Sequence, residues 1–208
     1  MRAWVSLCTL QLVVFAGAVS ACDDGQMMTD CGCRGIAEMM VERMAGAWEG
    51  ELQYLDYQSG QRFGIPMFVQ ASALPDGNTV FRDIVFTDPD NLVYASSTTR
   101  YNVDNVIEAY FRDGDAELFE YVLDRVELLT KDMSEDGRSP WILVMSREGL
   151  DDDRPALIRL RHSQTANTQT VVKEVRYLDT VDQATGRQTW IERNRTVLQR
   201  VDAVPSAS

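Results

Sequence analysis

The feature that most constrains this chain is an alternation that starts at residue 48 and returns, turn after turn, as far as residue 200. In Trp48-Glu49-Gly50-Glu51-Leu52-Gln53-Tyr54, residues Trp48, Gly50, Leu52 and Tyr54 fall on one face and Glu49, Glu51 and Gln53 on the other. Period two with one apolar face marks a half-buried strand. Segment 62–72 returns with Phe63, Ile65, Met67 and Val69 on one face. Segments 79–87, 92–103, 107–112, 141–148, 156–163, 170–179 and 188–200 read the same way. Turn residues stand between them: Ser59-Gly60-Gln61, Pro75-Asp76-Gly77-Asn78, Asp88-Pro89-Asp90-Asn91, Asp113-Gly114 and Glu135-Asp136-Gly137. Segment 116–131 is ambiguous. Leu118, Phe119, Val122, Val126 and Leu129 would make a helix face, but the preceding Asp-Gly and the neighbouring segments favour a strand. About nine strands joined by short turns predict an all-β, antiparallel up-and-down meander, which closes into a barrel to remove its edges.

One helix is expected before the strands, over residues 35–46. Ile36, Met39, Met40 and Met44 recur at helical spacing, and Gly46 is a natural terminator. A Met-rich face of three turns reads as a plug on the domain. The whole reads as a single domain over residues 35–200 with a flexible tail at 201–208.

Charge excludes one class of partner. The net charge is −12, and a general nucleic-acid binder needs clustered Lys and Arg, so no nucleic acid is expected. The charge is uneven: residues 23–154 hold 27 acidic and 11 basic residues, and residues 155–208 hold 5 and 8. Ordinary surface solvation accounts for that imbalance.

The N-terminus carries an address. Arg2 is followed by an apolar or small stretch to Val19, the pattern of a secretory signal peptide over residues 1–21. Val19-Ser20-Ala21-Cys22 resembles the bacterial lipobox. That resemblance implies a lipid on Cys22, a tether over residues 22–34, and a protein secreted across the inner membrane. It would be lipid-anchored in the bacterial cell envelope, facing the periplasm. Asp23 and Asp24 resemble an inner-membrane retention signal, whose meaning varies between lineages. The competing reading is cleavage after Ala21, with Cys22 a plain thiol. Cys31-Gly32-Cys33 gives a strained disulfide at best, and without a nearby His it is no metal site.

Gly46-Ala47-Trp48, on the first strand just after a helix, resembles the Gly-x-Trp signature of the lipocalins and wider calycin barrels. Those families place an Arg of the last strand across the Trp, a role that Arg193, Arg195 or Arg200 would fill. The resemblance implies a lipocalin-like barrel holding a small apolar ligand, lined by Trp48, Leu52, Tyr54, Phe63, Ile65 and Met67. A filled core of the same residues is the alternative.

Parity adds an arginine pattern. Arg159 and Arg161 share a face, as do Glu174 and Arg176, and Arg193 and Arg195. On neighbouring strands they would form one field. Inside the barrel it anchors an anionic ligand; outside it is a basic patch; with Glu174 and Glu192 it becomes a set of cross-strand ion pairs. A haem barrel of the nitrobindin type needs an axial histidine. The single His162 reads as solvated, so no cofactor is expected. The acids of the 149–155 loop lack the ligand spacing of a calcium site and read as a solvated turn.

The expected function is binding or carriage of a small apolar, amphiphilic or anionic ligand without catalysis, with Trp48, Tyr54, Arg159, Arg161, Arg176, Arg193 and Arg195 as candidate contacts. The rivals are a barrel enzyme of isomerase or lyase type and an envelope interaction module. An inward Glu or Asp, unpaired beside Tyr and Arg, would favour the enzyme. An apolar cavity would favour carriage.

Overall fold

The computed structural model describes residues 33–55, 59–88, 91–129, 140–180 and 188–202. The signal peptide, Cys22, the tether up to residue 32, the Glu135-Asp136-Gly137 turn and residues 203–208 lie outside them. One helix, α1 (Cys33–Met44), leads ten strands: β1 (Gly46–Leu55), β2 (Arg62–Ala73), β3 (Thr79–Asp88), β4 (Asn91–Tyr101), β5 (Asn105–Arg112), β6 (Asp115–Leu128), β7 (Trp141–Asp151), β8 (Arg154–Gln164), β9 (Thr168–Tyr177) and β10 (Ile191–Val201). Each strand pairs antiparallel with the next, and β1 pairs with β10 to close the barrel. The expected all-β up-and-down barrel is therefore present, with ten strands where the sequence suggests about nine.

The tight turns follow their residues. Asp113 and Gly114 join β5 to β6 with φ of 54° and 89°. Asp152 and Asp153 join β7 to β8 with φ of 55° and 57°. Two residues at positive φ match the right-handed twist of a hairpin, and Asp and Gly tolerate that region best. The expected 149–155 loop is thus mostly strand, and only Asp152 and Asp153 leave the ladder, since Asp151 pairs with Arg154. At the barrel seam Gly50 faces β10 so closely that a Cβ there would sit 1.9 Å from the Val197 carbonyl oxygen.

α1 begins two residues before the expected start and stops at Met44, so Cys33 and Arg34 of the expected tether are helical. Gly46, at φ 127°, opens β1 instead of ending the helix. Val201, placed in the flexible tail by its sequence, pairs with Ala47. Met40, Val41 and Met44 are buried in the main apolar cluster with Trp48, Trp141 and Leu143. The helix is therefore a plug, as its Met-rich face suggests.

Side chains from four strands fasten it. The last carbonyls of a helix have no partner within it. Here the Arg43 carbonyl accepts from Gln164 Nε2 (2.8 Å) and Arg200 (2.6 Å), the Met44 carbonyl from Trp48 Nε1 (2.9 Å) and Gln169 Nε2 (3.5 Å), and the Ala45 carbonyl from Arg200 (2.8 Å). Arg200 also lies over the Trp48 ring, 4.2 Å from its centroid. Of the three late arginines, Arg200 makes the cation–π contact, and its charge sits favourably at the negative end of the helix dipole. This end of the barrel is the closed floor.

Candidate functional site

Strand register decides what faces inward. Trp48 pairs with Val69, Ile84 with Ala95, Thr99 with Glu108, Val106 with Tyr121, Met145 with Leu160 and His162 with Val171. Opposed residues share a face, so these pairs trace one inward set around the barrel.

Above the floor the inward set leaves a cavity of about 180 Å³. Met67, Val69, Ile84, Met145, Leu160 and Leu198 supply apolar wall; Arg82, Thr99, Tyr101, Glu108, Tyr110 and His162 supply polar groups. Arg82 donates to Thr99 Oγ1 at 2.9 Å and to Tyr101 Oη at 3.4 Å, which fixes its guanidinium against the wall.

Glu108 keeps part of its surface, and it lines the cavity. Removal from water pushes its carboxyl above the usual glutamate value, against the opposing charges of Arg82 and Arg147 and the Thr99 hydroxyl. Neither arginine closes a salt bridge with it among the described residues. Burial also raises the Tyr101 and Tyr110 phenols, so both keep their protons. Arg147 stands beside this group, its Cζ 4.6 Å from the Phe119 centroid and 5.5 Å from that of Tyr121.

His162 corrects the expectation of a solvated histidine. It is 4% exposed, its ring meets Trp141 edge-on at 4.8 Å, and its Nε2 has no hydrogen-bond partner among the described residues. Burial, aided by the charge of Arg82, lowers its pKa to about 3, so the imidazole is neutral at physiological pH.

Nearer the open end, Asp151 corrects the reading of a solvated acidic turn. It is buried, bonds Lys173 Nζ (3.0 Å) through Oδ1, and meets Arg193 (2.8 Å) and the Tyr177 hydroxyl (2.9 Å) through Oδ2. Burial opposes its charge, but these partners outweigh it and hold the carboxyl below the usual aspartate value.

The predicted contact residues do not converge. Trp48 is wholly buried in the floor, covered by α1 and Arg200, and is not part of the inner cavity's lining. Tyr54 stands at the open end beside Phe63, both partly exposed. Arg159, Arg161 and Arg176 lie on the outer wall. Arg159 pairs with Glu174 at 2.9 Å, and the Arg159 and Arg176 guanidinium carbons lie 4.0 and 5.0 Å from the Trp190 centroid. Arg195 pairs with Glu192 at 2.8 Å, also outside. Arg193 parts from Arg195 because the ladder slips between Glu192 and Asn194, and this bulge turns it to Asp151. Of the expected cross-strand ion pairs, Arg159–Glu174 is present between β8 and β9, whereas Arg195 meets Glu192 within β10 and Arg193 meets Asp151.

A groove of about 430 Å³ runs over that outer wall between Asp124, Arg125, Val144, Ser146, Leu157, Arg159, Arg161 and Trp190. It is the larger space, but its charges sit in water, where an ion pair is worth little. The inner cavity is the smaller space and the better chemical candidate, because its polar groups act where water is scarce.

No family model matches the chain, and no curated protein matches it. Among solved structures it is similar to the crystal structure of Rv2717c from M. tuberculosis, with 12% identity, a TM-score of 0.50, and coverage of 79% of this chain and 97% of that one. At that identity the likeness is one of fold, a closed antiparallel barrel shared by two distant sequences.

Proposed function

We propose that this barrel binds a small, polar-ended molecule in its inner cavity, on a chain carried to the cell envelope and anchored there by a lipid on Cys22. The carrying observation is the cavity itself, with apolar wall on Met67, Ile84 and Leu160 and polar groups on Arg82, Tyr101 and Glu108. At about 180 Å³ it has the volume of roughly six liquid waters. Pockets for drug-sized ligands run from about 300 Å³ upward. A short-chain or single-ring molecule suits this space better than long apolar cargo. A carboxylate or carbonyl end would meet Arg82 and the two phenols, and the apolar part would meet the methionines and leucines. The lipobox resemblance supports the address.

Native mass spectrometry of the gently purified full chain tests the receptor reading. A small mass should accompany the wild type, leave on denaturation, and be missing from Ser97→Leu, which fills the cavity. The same adduct on both proteins would place the ligand elsewhere and sink the reading. The anchor has a separate test: Cys22→Ser should move the protein from the membrane to the soluble fraction.

An enzyme is the second reading. Glu108, without a salt bridge among the described residues and set beside Tyr101, Tyr110 and Arg82 on the inward face, is the arrangement that favours it.

A further inference from the structure

We infer that the cavity is an acid–base site for small unsaturated ketones, in which Glu108 carries a proton from one carbon to another while Tyr101, Tyr110 and Arg82 hold the carbonyl oxygen. This rests on the cavity being the binding site proposed above, and adds the substrate class and the chemistry.

The titratable groups of the lining are Arg82 on β3, Tyr101 on β4, Glu108 and Tyr110 on β5, and His162 on β8, with Tyr121 on β6 and Arg147 on β7 beside them. His162 is neutral, the phenols are protonated, and the arginines are permanent cations. Glu108, its carboxyl raised by burial, is left as the group of this set that can take up and return a proton. A base ionised at working pH, but not far below it in pKa, is the useful kind. Phenol and guanidinium donors stabilise negative charge arising on an oxygen, and they do so best in a low-dielectric site. The apolar wall accepts the hydrocarbon part. A base, oxyanion donors and an apolar wall make a site for proton abstraction next to a carbonyl.

The step balances without a co-reactant. Glu108 takes a proton from the carbon between the carbonyl and the double bond, and that C–H pair moves into the dienolate, with its charge on oxygen. Tyr101, Tyr110 and Arg82 hold that oxygen. Glu108 then returns the proton to the far end of the dienolate, which leaves the conjugated ketone and the original carboxylate.

Cyclohex-3-enone, a single ring suited to the cavity, is the probe, and the ultraviolet absorbance of the conjugated product is the readout. Wild type should convert it above the buffer rate. Glu108→Gln should lower kcat by about 10²–10⁴-fold with KM little changed. The wild-type rate should rise with pH through a midpoint above the ordinary glutamate value of 4.5. Saturation-transfer NMR with cyclohexanone, which has no double bond to shift, reads binding separately. Binding to both proteins with turnover by wild type alone supports the inference. Binding to both with no turnover above buffer overturns the proton transfer and leaves the receptor reading intact. Equal turnover by both overturns the role of Glu108, and absence of both binding and turnover overturns the ketone site. Should Glu108→Gln fail to fold, Tyr110→Phe with the wild-type pH profile decides: an unchanged kcat, or a rate indifferent to pH, overturns the inference.

Discussion

The floor and the waist of this barrel are made by the same alternation, yet they use their polar groups differently, although Trp141 Nε1 and Gln164 Oε1 at the floor also lack partners among the described residues. At the floor, Trp48, Gln164, Gln169 and Arg200 spend their donors on three carbonyls at the end of α1. At the waist, Glu108 on β5 lacks a salt bridge among the described residues, and His162 Nε2 on β8 is buried without a partner among them. A buried group left short of partners destabilises a fold, and such groups gather where a protein binds or reacts. The contrast separates the end that closes the barrel from the cavity that has something left to offer a ligand.

The largest effect should come from the floor. Trp48→Ala removes a wholly buried ring, its bond to Met44 and the surface under Arg200. Large aromatic truncations in a core cost about 3–5 kcal/mol. Urea titration should show a loss of that size, and a loss below about 1 kcal/mol would mean that α1 and Arg200 hold the floor without the ring.

The second effect belongs to the waist and depends on pH. His162 has a folded pKa of about 3 against an unfolded value of 6.5. Between those values the unfolded chain takes up a proton that the folded one does not, so stability falls as pH drops below 6.5. One such group contributes a slope of about 1.4 kcal/mol per pH unit. His162→Gln should flatten the stability–pH curve between pH 6 and 4 by about that slope. An unchanged curve would mean that the ring protonates inside the barrel, and the waist would then be wetter than the contrast requires.

These two regions are not equally visible in the sequence. The floor announces itself, since Trp48 follows a Met-rich helix and Arg200 lies on the last strand. The strands and the Asp113-Gly114 hairpin are visible too, because turn residues and period two are local signals. The waist is hidden by a conflict within β5. Ile107, Ala109 and Phe111 alternate with Glu108 and Tyr110, and the more apolar set is the one facing out. Parity on that strand alone points the wrong way; the pairing of Glu108 with Thr99, fixed by long-range register, is what turns it inward.

Segment 116–131 misleads for a related reason. Leu118 and Val122 are outward and exposed, at 74% and 62%, while Phe119 and Tyr121 face in. Apolar residues on both sides of a strand imitate a helical period, and the slip between Leu123 and Arg125 changes the parity of the rest of β6. The bulge in β10 breaks the parity that groups Arg193 with Arg195, and Asp151 is the one of three consecutive acids that stays in the ladder. Bulges are set by neighbouring strands and leave little local signature.

The smallest effect tests whether the waist gives up stability for its chemistry. Burial raises the Glu108 carboxyl above its unfolded value of 4.5 despite Arg82 and Arg147. A raised carboxyl binds its proton more tightly when folded, so its contribution is fully present below pH 4.5 and is lost as pH rises through the folded value. Above the folded value the chain carries an ionised group that it would hold better as a neutral one. Glu108→Gln places a neutral group of the same shape there. It should make the protein more stable than wild type at pH 7, by more than the ~0.5 kcal/mol scatter of surface substitutions, with the gain closing below pH 4.5. Urea titrations of both proteins at pH 7 and pH 4 measure the difference. A variant less stable than wild type at pH 7 would mean that Arg82 and Arg147 satisfy the carboxylate after all, and the waist would then hold no carboxylate ready for a ligand.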